Sequence, residues 1–423
     1  MAGTMFNSIK SLLKRDNSQF IKIDSIEKTS NSIKVNFSFC DEISKYFRQN
    51  FQKIQYLKLN HDLTNIPDGI AIIPFVSNVL PIIWFFDLKL IIDEIDKNFF
   101  ESIDDIKKGY KLLFPFIDFK GEVICKNTKD FSYTAQNNSV ALFSQGLDSI
   151  NTVINNLDKN LSLLTLHGSD IPLDKTEGWN NLSGKIDEFA ASVNVKNYYA
   201  KSNFRRMLNN TQLNNALPDG MKKSWWHQFQ HGIGIISHAT IIAYLLKSEN
   251  ILIASSLSKA SAKFENLKYN PIASSPVIDN NFKFAACRTI HDGYEFERID
   301  KLRNTVSYSR ENEPIFLRVC FTSQNGDNCS VCDKCSRSIL GRISENENPN
   351  GYGFDVCDET LLGIRANLDD LKNGVEKKGW YFRNFRPYFW IDLQNNFQKN
   401  AEKYDFDENV KWILDYDFSN IKK

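Results

Sequence analysis

The stretch that constrains this chain most is Val140-Ala141-Leu142-Phe143, running into Ser144-Gln145-Gly146-Leu147-Asp148-Ser149 and then Ile150-Asn151-Thr152-Val153-Ile154. An apolar run of strand length enters a Gly-containing turn, and the turn opens a helical pattern. Such a turn aims several backbone N–H groups at one spot, with the positive end of a helix dipole behind them. It is built for an anion, most naturally a phosphate group. The spacing is neither G-x-x-x-x-G-K-[ST] nor G-x-G-x-x-G. Taken alone, the hexapeptide also reads as an ordinary strand-turn-helix junction.

The rhythm after Val140 is strand, loop, helix. Leu161–Leu166 reads as a second buried strand, Ile186–Val193 as a helix end, and Val195–Ala200 as a third strand. Ser224–Leu246 has the length of a long helix and Ile251–Ala254 of a fourth strand. Alternating strands and helices imply an α/β domain, a parallel sheet with helices on both faces, over 139–340. Ligands of such sheets bind beyond the strand carboxyl ends, where Ser144–Ser149 falls. Residues 1–135 read as a separate α+β accessory domain. It has alternating strand patterns at Phe20–Ile23 and Ile33–Phe37 and a strand-like run at Leu88–Ile92. A helical face there is formed by Ile95, Phe99, Ile103 and Ile106. The polar segment Cys125–Asn138 reads as a linker. Residues 341–423 read as a helical C-terminal extension with aromatic clusters at Trp380-Tyr381-Phe382 and Tyr388-Phe389-Trp390.

At 423 residues the chain has room for two or three domains, and a net charge of +1 gives no electrostatic argument for nucleic acid or membrane. The most apolar stretch, Ile70–Phe86, contains Pro74, Ser77, Asn78 and Pro81, so it reads as buried strands or turns rather than a membrane span. Met1–Asp16 lacks the apolar core of a secretory signal. Four of the eight cysteines crowd into Cys320-x8-Cys329-x2-Cys332-x2-Cys335. Four thiolates at that spacing close a tetrahedral site, structural zinc by default, with an iron–sulfur cluster as the alternative. The pattern points to a reducing, cytoplasmic setting. Cys40, Cys125, Cys287 and Cys357 read as isolated small apolar residues.

S-x-G-x-D-S resembles the pyrophosphate loop of the PP-loop ATP pyrophosphatases, with Gln145 where that family usually has a second Gly. Joined to the downstream cysteines, and with Arg337 near the basic position that follows them, residues 139–340 resemble 7-cyano-7-deazaguanine synthase. Elaborated relatives of it occur in bacterial anti-phage gene clusters. The resemblance implies the adenine-nucleotide alpha-hydrolase-like fold, with ATP and Mg²⁺ as cofactors and zinc held by Cys320, Cys329, Cys332 and Cys335. It places nucleotide on Ser144, Gln145, Gly146, Leu147, Asp148, Ser149 and His167. It makes Asp148, Ser149, Lys259 and Asp279 the expected catalytic residues. His227, Gln228 and His231 are the expected substrate contacts, with a packed core face as the rival reading.

The implied reaction joins a small-molecule carboxylate to a nitrogen donor, through an adenylate, to give an amide or nitrile. Open alternatives are a PP-loop amidotransferase acting on another substrate, such as a surface sugar, and a non-catalytic nucleotide-binding scaffold. An amine on a partner protein is one candidate donor, and a homodimer is compatible with the chain. The loops depart from the synthase pattern at His167-Gly168-Ser169-Asp170, at Trp226-His227-Gln228 and at Ser274–Asp279. The acceptor is therefore not fixed by the resemblance. Arg205, Arg206, Arg288, His291, Asp292 and Glu295 are secondary candidates, each equally explained as solvated or capping residues.

Overall fold

A computed structural model describes residues 19–266, 271–320, 322–375, 382, 385–419 and 421. The readings of Met1–Asp16 and of Trp380-Tyr381 lie outside these residues. In chain order the principal elements are β1 (Phe20–Lys28), β2 (Ser32–Phe39), β3 (Ile54–Leu59), α1 (Ile73–Phe85), β4 (Lys89–Asp96), α2 (Lys97–Leu113) and β5 (Glu122–Lys129). Next come β6 (Ser139–Leu142), α3 (Leu147–Ile154), β7 (Leu161–His167), α4 (Thr176–Ser192), β8 (Lys196–Ser202), α5 (His231–Leu245), β9 (Asn250–Ala254) and α6 (Lys259–Asn266). The chain ends with β10 (Lys283–Phe284), β11 (Cys287–Asp292), α7 (Arg298–Glu311), α8 (Asp333–Ser344), α9 (Asp358–Lys372) and α10 (Pro387–Asn400). The class is α/β. No helix among the described residues is long and apolar enough to cross a membrane.

Two compact units result, and neither is one continuous stretch. The first is Met1–Gln136, Ala200–Ile251 and Tyr269–Ile290; the second is Asn137–Tyr199, Leu252–Lys268 and His291–Lys423. Strands β8, β9 and β11 each contribute residues to both.

In the first unit the strands run in the order β5-β4-β1-β2-β3-β8. β1 pairs parallel with β4 and antiparallel with β2, and β4 pairs parallel with β5 along its whole length, Lys89 opposite Glu122 through Asp96 opposite Lys129. β5 therefore takes up Cys125–Lys129 of the expected Cys125–Asn138 linker. It lies at the end of the order with exposed Lys and Asn side chains, so no apolar alternation marks it in the sequence. The apolar stretch expected as strands or turns is instead helix α1, buried at every position from Ile73 to Trp84. A helix buried all round has no polar face, so its period is hidden. Pro74 sits in its first turn, where the missing N–H costs nothing, while Pro81 removes an internal hydrogen bond. Helix α2 buries Phe99, Ile103 and Ile106, but Ile95 belongs to β4. The Asp96 carboxylate caps α2, accepting from Phe99 N and Ala285 N at 2.8 Å each. Burial pushes that carboxyl's pKa up despite these bonds.

In the second unit the order is β9-β6-β7-β8, with β6 and β7 parallel from Ser139 opposite Leu161 to Leu142 opposite Leu164. Its strands are short apolar runs whose residues are almost all buried, the signature of a covered parallel sheet. Helices flank them; α7 packs on α3, and α10 packs on both α7 and α8.

Candidate anion site and cysteine cluster

The turn after β6 leads the strand into the N-terminus of α3. Phe143 N donates to Leu164 O at 2.9 Å, holding the strand end, and Gly146 occupies the N-cap of α3 in an extended conformation. Ser149 Oγ donates to Gly146 O at 3.0 Å and lies 3.4 Å from both Ser144 N and Ser144 Oγ. The first N–H groups of α3 have no carbonyls within the helix to bond, and they open beside the exposed Ser144. Gln145 takes a backbone conformation that glycine adopts without strain. Its φ is +60°, the left-handed region where a side chain costs roughly 1–2 kcal/mol. Two hydrogen bonds offset that cost: Arg318 N to Gln145 O at 2.8 Å and Gln145 Nε2 to Phe316 O at 2.9 Å. Gln145→Ala keeps the strain and loses the side-chain bond, so denaturant unfolding should show a loss of about 1–2 kcal/mol. Gln145→Gly relieves the strain and should fall within about 1 kcal/mol of the parent.

Sequence reasoning missed the cations that face the turn. Asp148, in the first turn of α3, pairs with Arg298 Nη1 at 3.3 Å and with Lys301 Nζ at 3.4 Å. The Lys301 side chain is 2% exposed, and its ammonium also donates to Ser255 O. Burial alone would raise the Asp148 carboxyl pKa. Lys301, Arg298 and Lys334 more than offset it and hold the group below its usual value. The signal available in the sequence was Arg298-x-x-Lys301 after Glu297, with Asp300 at N3: an acidic cap opening a helix whose first turn presents two cations on one face. Asp292 holds the C-terminal end of α3, accepting from Thr152 Oγ1 at 2.7 Å and Asn156 Nδ2 at 3.3 Å. His291 Nε2 lies 2.7 Å from Ser255 Oγ.

Cys320, Cys329, Cys332 and Cys335 converge, with all four sulfurs within 4.8 Å of one another. The shortest separations are 3.5 Å for Cys332–Cys335 and 3.9 Å for Cys320–Cys332 and Cys329–Cys335. These are far beyond a disulfide bond. They match the edge of a tetrahedron with metal–sulfur bonds near 2.3 Å, about 3.8 Å. Thr322 N and Ser323 N point at Cys320 Sγ at 3.3 and 3.2 Å, and Cys332 caps the N-terminus of α8. Both arrangements favour thiolate. The four cysteines can hold a metal ion such as zinc. They are the only such group of three or more His, Cys, Asp or Glu side chains among the described residues.

The cluster and the turn share one segment. Asn328 Oδ1 accepts from Val319 N at 3.0 Å and Cys320 N at 3.2 Å, and its Nδ2 donates to Leu317 O at 2.5 Å and Gly353 O at 2.9 Å. The strand of backbone that holds Gln145, residues 316–318, thus runs directly into the first cysteine.

The other expected site residues divide. His167, in the second unit, is buried and stacked on Trp179, ring centroids 4.2 Å apart and 7° from parallel. Lys259 is exposed at the start of α6, its N–H donating to Tyr294 O at 2.8 Å. His227, Gln228, His231 and Asp279 belong to the first unit. There the expected single helix Ser224–Leu246 starts with a π-helical turn, Trp226–Gln230, before α5. The rings of His227 and His231 stack at 6.2 Å, and Ala273 N donates to His227 O at 2.9 Å. Asp279 is fully buried and accepts from Ser274 Oγ at 2.9 Å. A Cβ on Gly232 would lie 2.5 Å from Asp279 Oδ1, so close approach fixes that glycine. Gln228 is fully buried, with neither amide atom hydrogen-bonded among the described residues.

The fold and site define an α/β protein in which a buried strand turns into a helix N-terminus, with an ion-paired carboxylate in the first turn of that helix and four clustered cysteines that could hold a metal. No protein-family model, curated protein or solved structure matches the chain.

Proposed function

We propose that this chain is a PP-loop ATP pyrophosphatase related to 7-cyano-7-deazaguanine synthase, adenylating a small carboxylate and passing it to a nitrogen nucleophile. One observation carries the reading: Arg298, Lys301 and Lys334 gather around Asp148 at the N-terminus of α3, so the cradle is flanked by cations. An attached pyrophosphate needs such a surround as it leaves.

In this reading a carboxylate oxygen attacks the α-phosphorus of ATP, and the bond from that phosphorus to the pyrophosphate oxygen breaks. The N–H groups at the start of α3 and the Ser144 and Ser149 hydroxyls hold the departing group. Arg298 and Lys301 neutralise it and fix Asp148. Mg²⁺, when bound, would supply further charge neutralisation, with Asp148 as the carboxylate able to reach it. A nitrogen lone pair then attacks the acyl carbon and AMP leaves, giving the amide; a second adenylation at the amide oxygen would give a nitrile. The cysteine centre, with four protein ligands and no open position, has a structural role as zinc.

The test is pyrophosphate release from ATP in the presence of 7-carboxy-7-deazaguanine. Release dependent on that acid supports the reading. Release only with other acceptors moves the chain to an amidotransferase of different substrate, and ATP binding without turnover under any condition makes it a scaffold. Asp148→Asn should lower release at least 100-fold with an unchanged circular dichroism spectrum; retained turnover would place the chemistry elsewhere.

A further inference from the structure

Helix α10 lies in the part of the chain beyond the synthase resemblance, yet hydrogen bonds tie it to the start of α7. Its inner face is buried at Leu393, Asn396, Phe397 and Asn400, the i, i+3, i+4, i+7 stripe of a packed helix. Packing alone would place apolar side chains at all four positions. Asn396, only 2% exposed, is instead bonded through both ends of its amide. Its Oδ1 accepts from Arg303 Nη2, and its Nδ2 donates to Ser344 Oγ and to Glu345 Oε1, at 2.8 Å each. Asn400, one turn on, donates from Nδ2 to Ser344 O at 2.7 Å. A buried amide satisfied in one arrangement fixes the register of the helices that meet on it.

Arg303 carries that register along α7. Its Nε donates to Glu345 Oε1 at 3.3 Å and its Nη1 to Asp300 Oδ1 at 3.0 Å. Asp300 Oδ2 in turn accepts from Glu297 N at 3.1 Å, one half of the capping box that opens the helix. Arg298 follows Glu297 and Lys301 follows Asp300. These are the two cations paired with Asp148, at 3.3 and 3.4 Å. The first N–H groups of a helix have no partners within it, so its first turn frays unless it is held. The run from Asn396 through Arg303 and Asp300 to Glu297 N holds this one.

We propose that Asn396 is a positioning residue for the turn after β6: acting through Arg303 and Asp300, it sets Arg298 and Lys301 against Asp148. The C-terminal extension thereby controls the counter-charge of the turn. That the turn holds pyrophosphate rests on the function proposed above; the positioning itself does not.

A double-mutant cycle on the full chain, read by urea unfolding, tests the positioning. Asn396→Leu suits the apolar face of α10 and removes the amide. The hydrogen-bond partners of Asn396 and of Asp148 do not overlap, so a merely structural role for Asn396 gives additive effects. Positioning instead makes the change in unfolding constant caused by Asn396→Leu at least five-fold smaller once Asp148→Asn is present. Arg303→Ala, at a side chain 33% exposed, should show the same coupling and decides the matter should Asn396→Leu not fold. Additive effects overturn the proposal. Calorimetric titration with inorganic pyrophosphate links the positioning to the proposed function. Asn396→Leu should weaken pyrophosphate at least five-fold with an unchanged circular dichroism spectrum. Equal affinity in parent and variant overturns the proposal. Coupling in the cycle, with no pyrophosphate bound by the parent, upholds the positioning while the reading of the turn fails.

Discussion

Lys301→Met lowers ATP-dependent pyrophosphate release by 100- to 1,000-fold. That is the range seen when one preorganised charge-stabilising group is removed from a transition state, about 3–4 kcal/mol. The same change should cost on the order of 2–3 kcal/mol of folding stability, because Ser255 O loses its donor and Asp148 loses one of its two ion-pair partners. Adding Asp148→Asn separates the two effects. The double variant should recover at least half of the lost stability, since no partly buried charge is left short of a partner, and should remain inactive. Recovery of turnover would show that Lys301 acts only as a structural counter-ion. The pH dependence has a definite sign. The Asp148 carboxyl is held below its unfolded value by Lys301, Arg298 and Lys334, burial notwithstanding. Its contribution is complete above about pH 4 and is lost as the pH falls through the lower folded value. The stability gap between the parent and Lys301→Met, read from urea unfolding at a series of pH values, should therefore close in acid and stay constant above neutrality.

Removing the metal should have the largest effect on stability. Structural zinc in a four-thiolate site contributes on the order of 10 kcal/mol of apparent folding free energy. Purified protein should carry one zinc per chain by elemental analysis, without visible charge-transfer absorption. Cys332→Ser should release it and lower the melting temperature sharply. Visible absorption with bound iron would make the centre an iron–sulfur cluster instead, and unchanged metal content in the variant would refute the four-cysteine assignment. The effect should also reach the anion cradle. Cys320 ends the segment whose Phe316 O and Arg318 N hold Gln145 at positive φ. Chelation under mild conditions should therefore weaken pyrophosphate binding at least ten-fold before global unfolding, measured by titration against circular dichroism.

The turn and the cysteines were legible because their chemistry is local. Ser144, Gly146 and Ser149 lie within six consecutive residues, and Cys329, Cys332 and Cys335 are three residues apart. Spacing alone nearly fixes their geometry. Strands β6, β7 and β9 were legible as short apolar runs bounded by turn residues. Helix α1 was not, because burial on all sides erases the amphipathic period, and β5 was not, because a polar strand at the end of a sheet order carries no alternation.

The partners of the turn had no local signature at all. Arg298 and Lys301 stand about 150 residues from Asp148, and a cation at a helix start is far more often solvated. Only the packing of α7 on α3 turns that pair into a counter-charge. Nor did the sequence show that Gln145 can take the left-handed conformation a glycine would take freely. That depends on Phe316 O and Arg318 N, brought alongside by the segment leading to Cys320. The sequence by itself determined which turn leads a buried strand into a helix N-terminus and which four residues can hold a metal, since both follow from the reach of a few consecutive residues. Tertiary structure alone decided which charges face that turn, because those contacts join elements far apart along the chain.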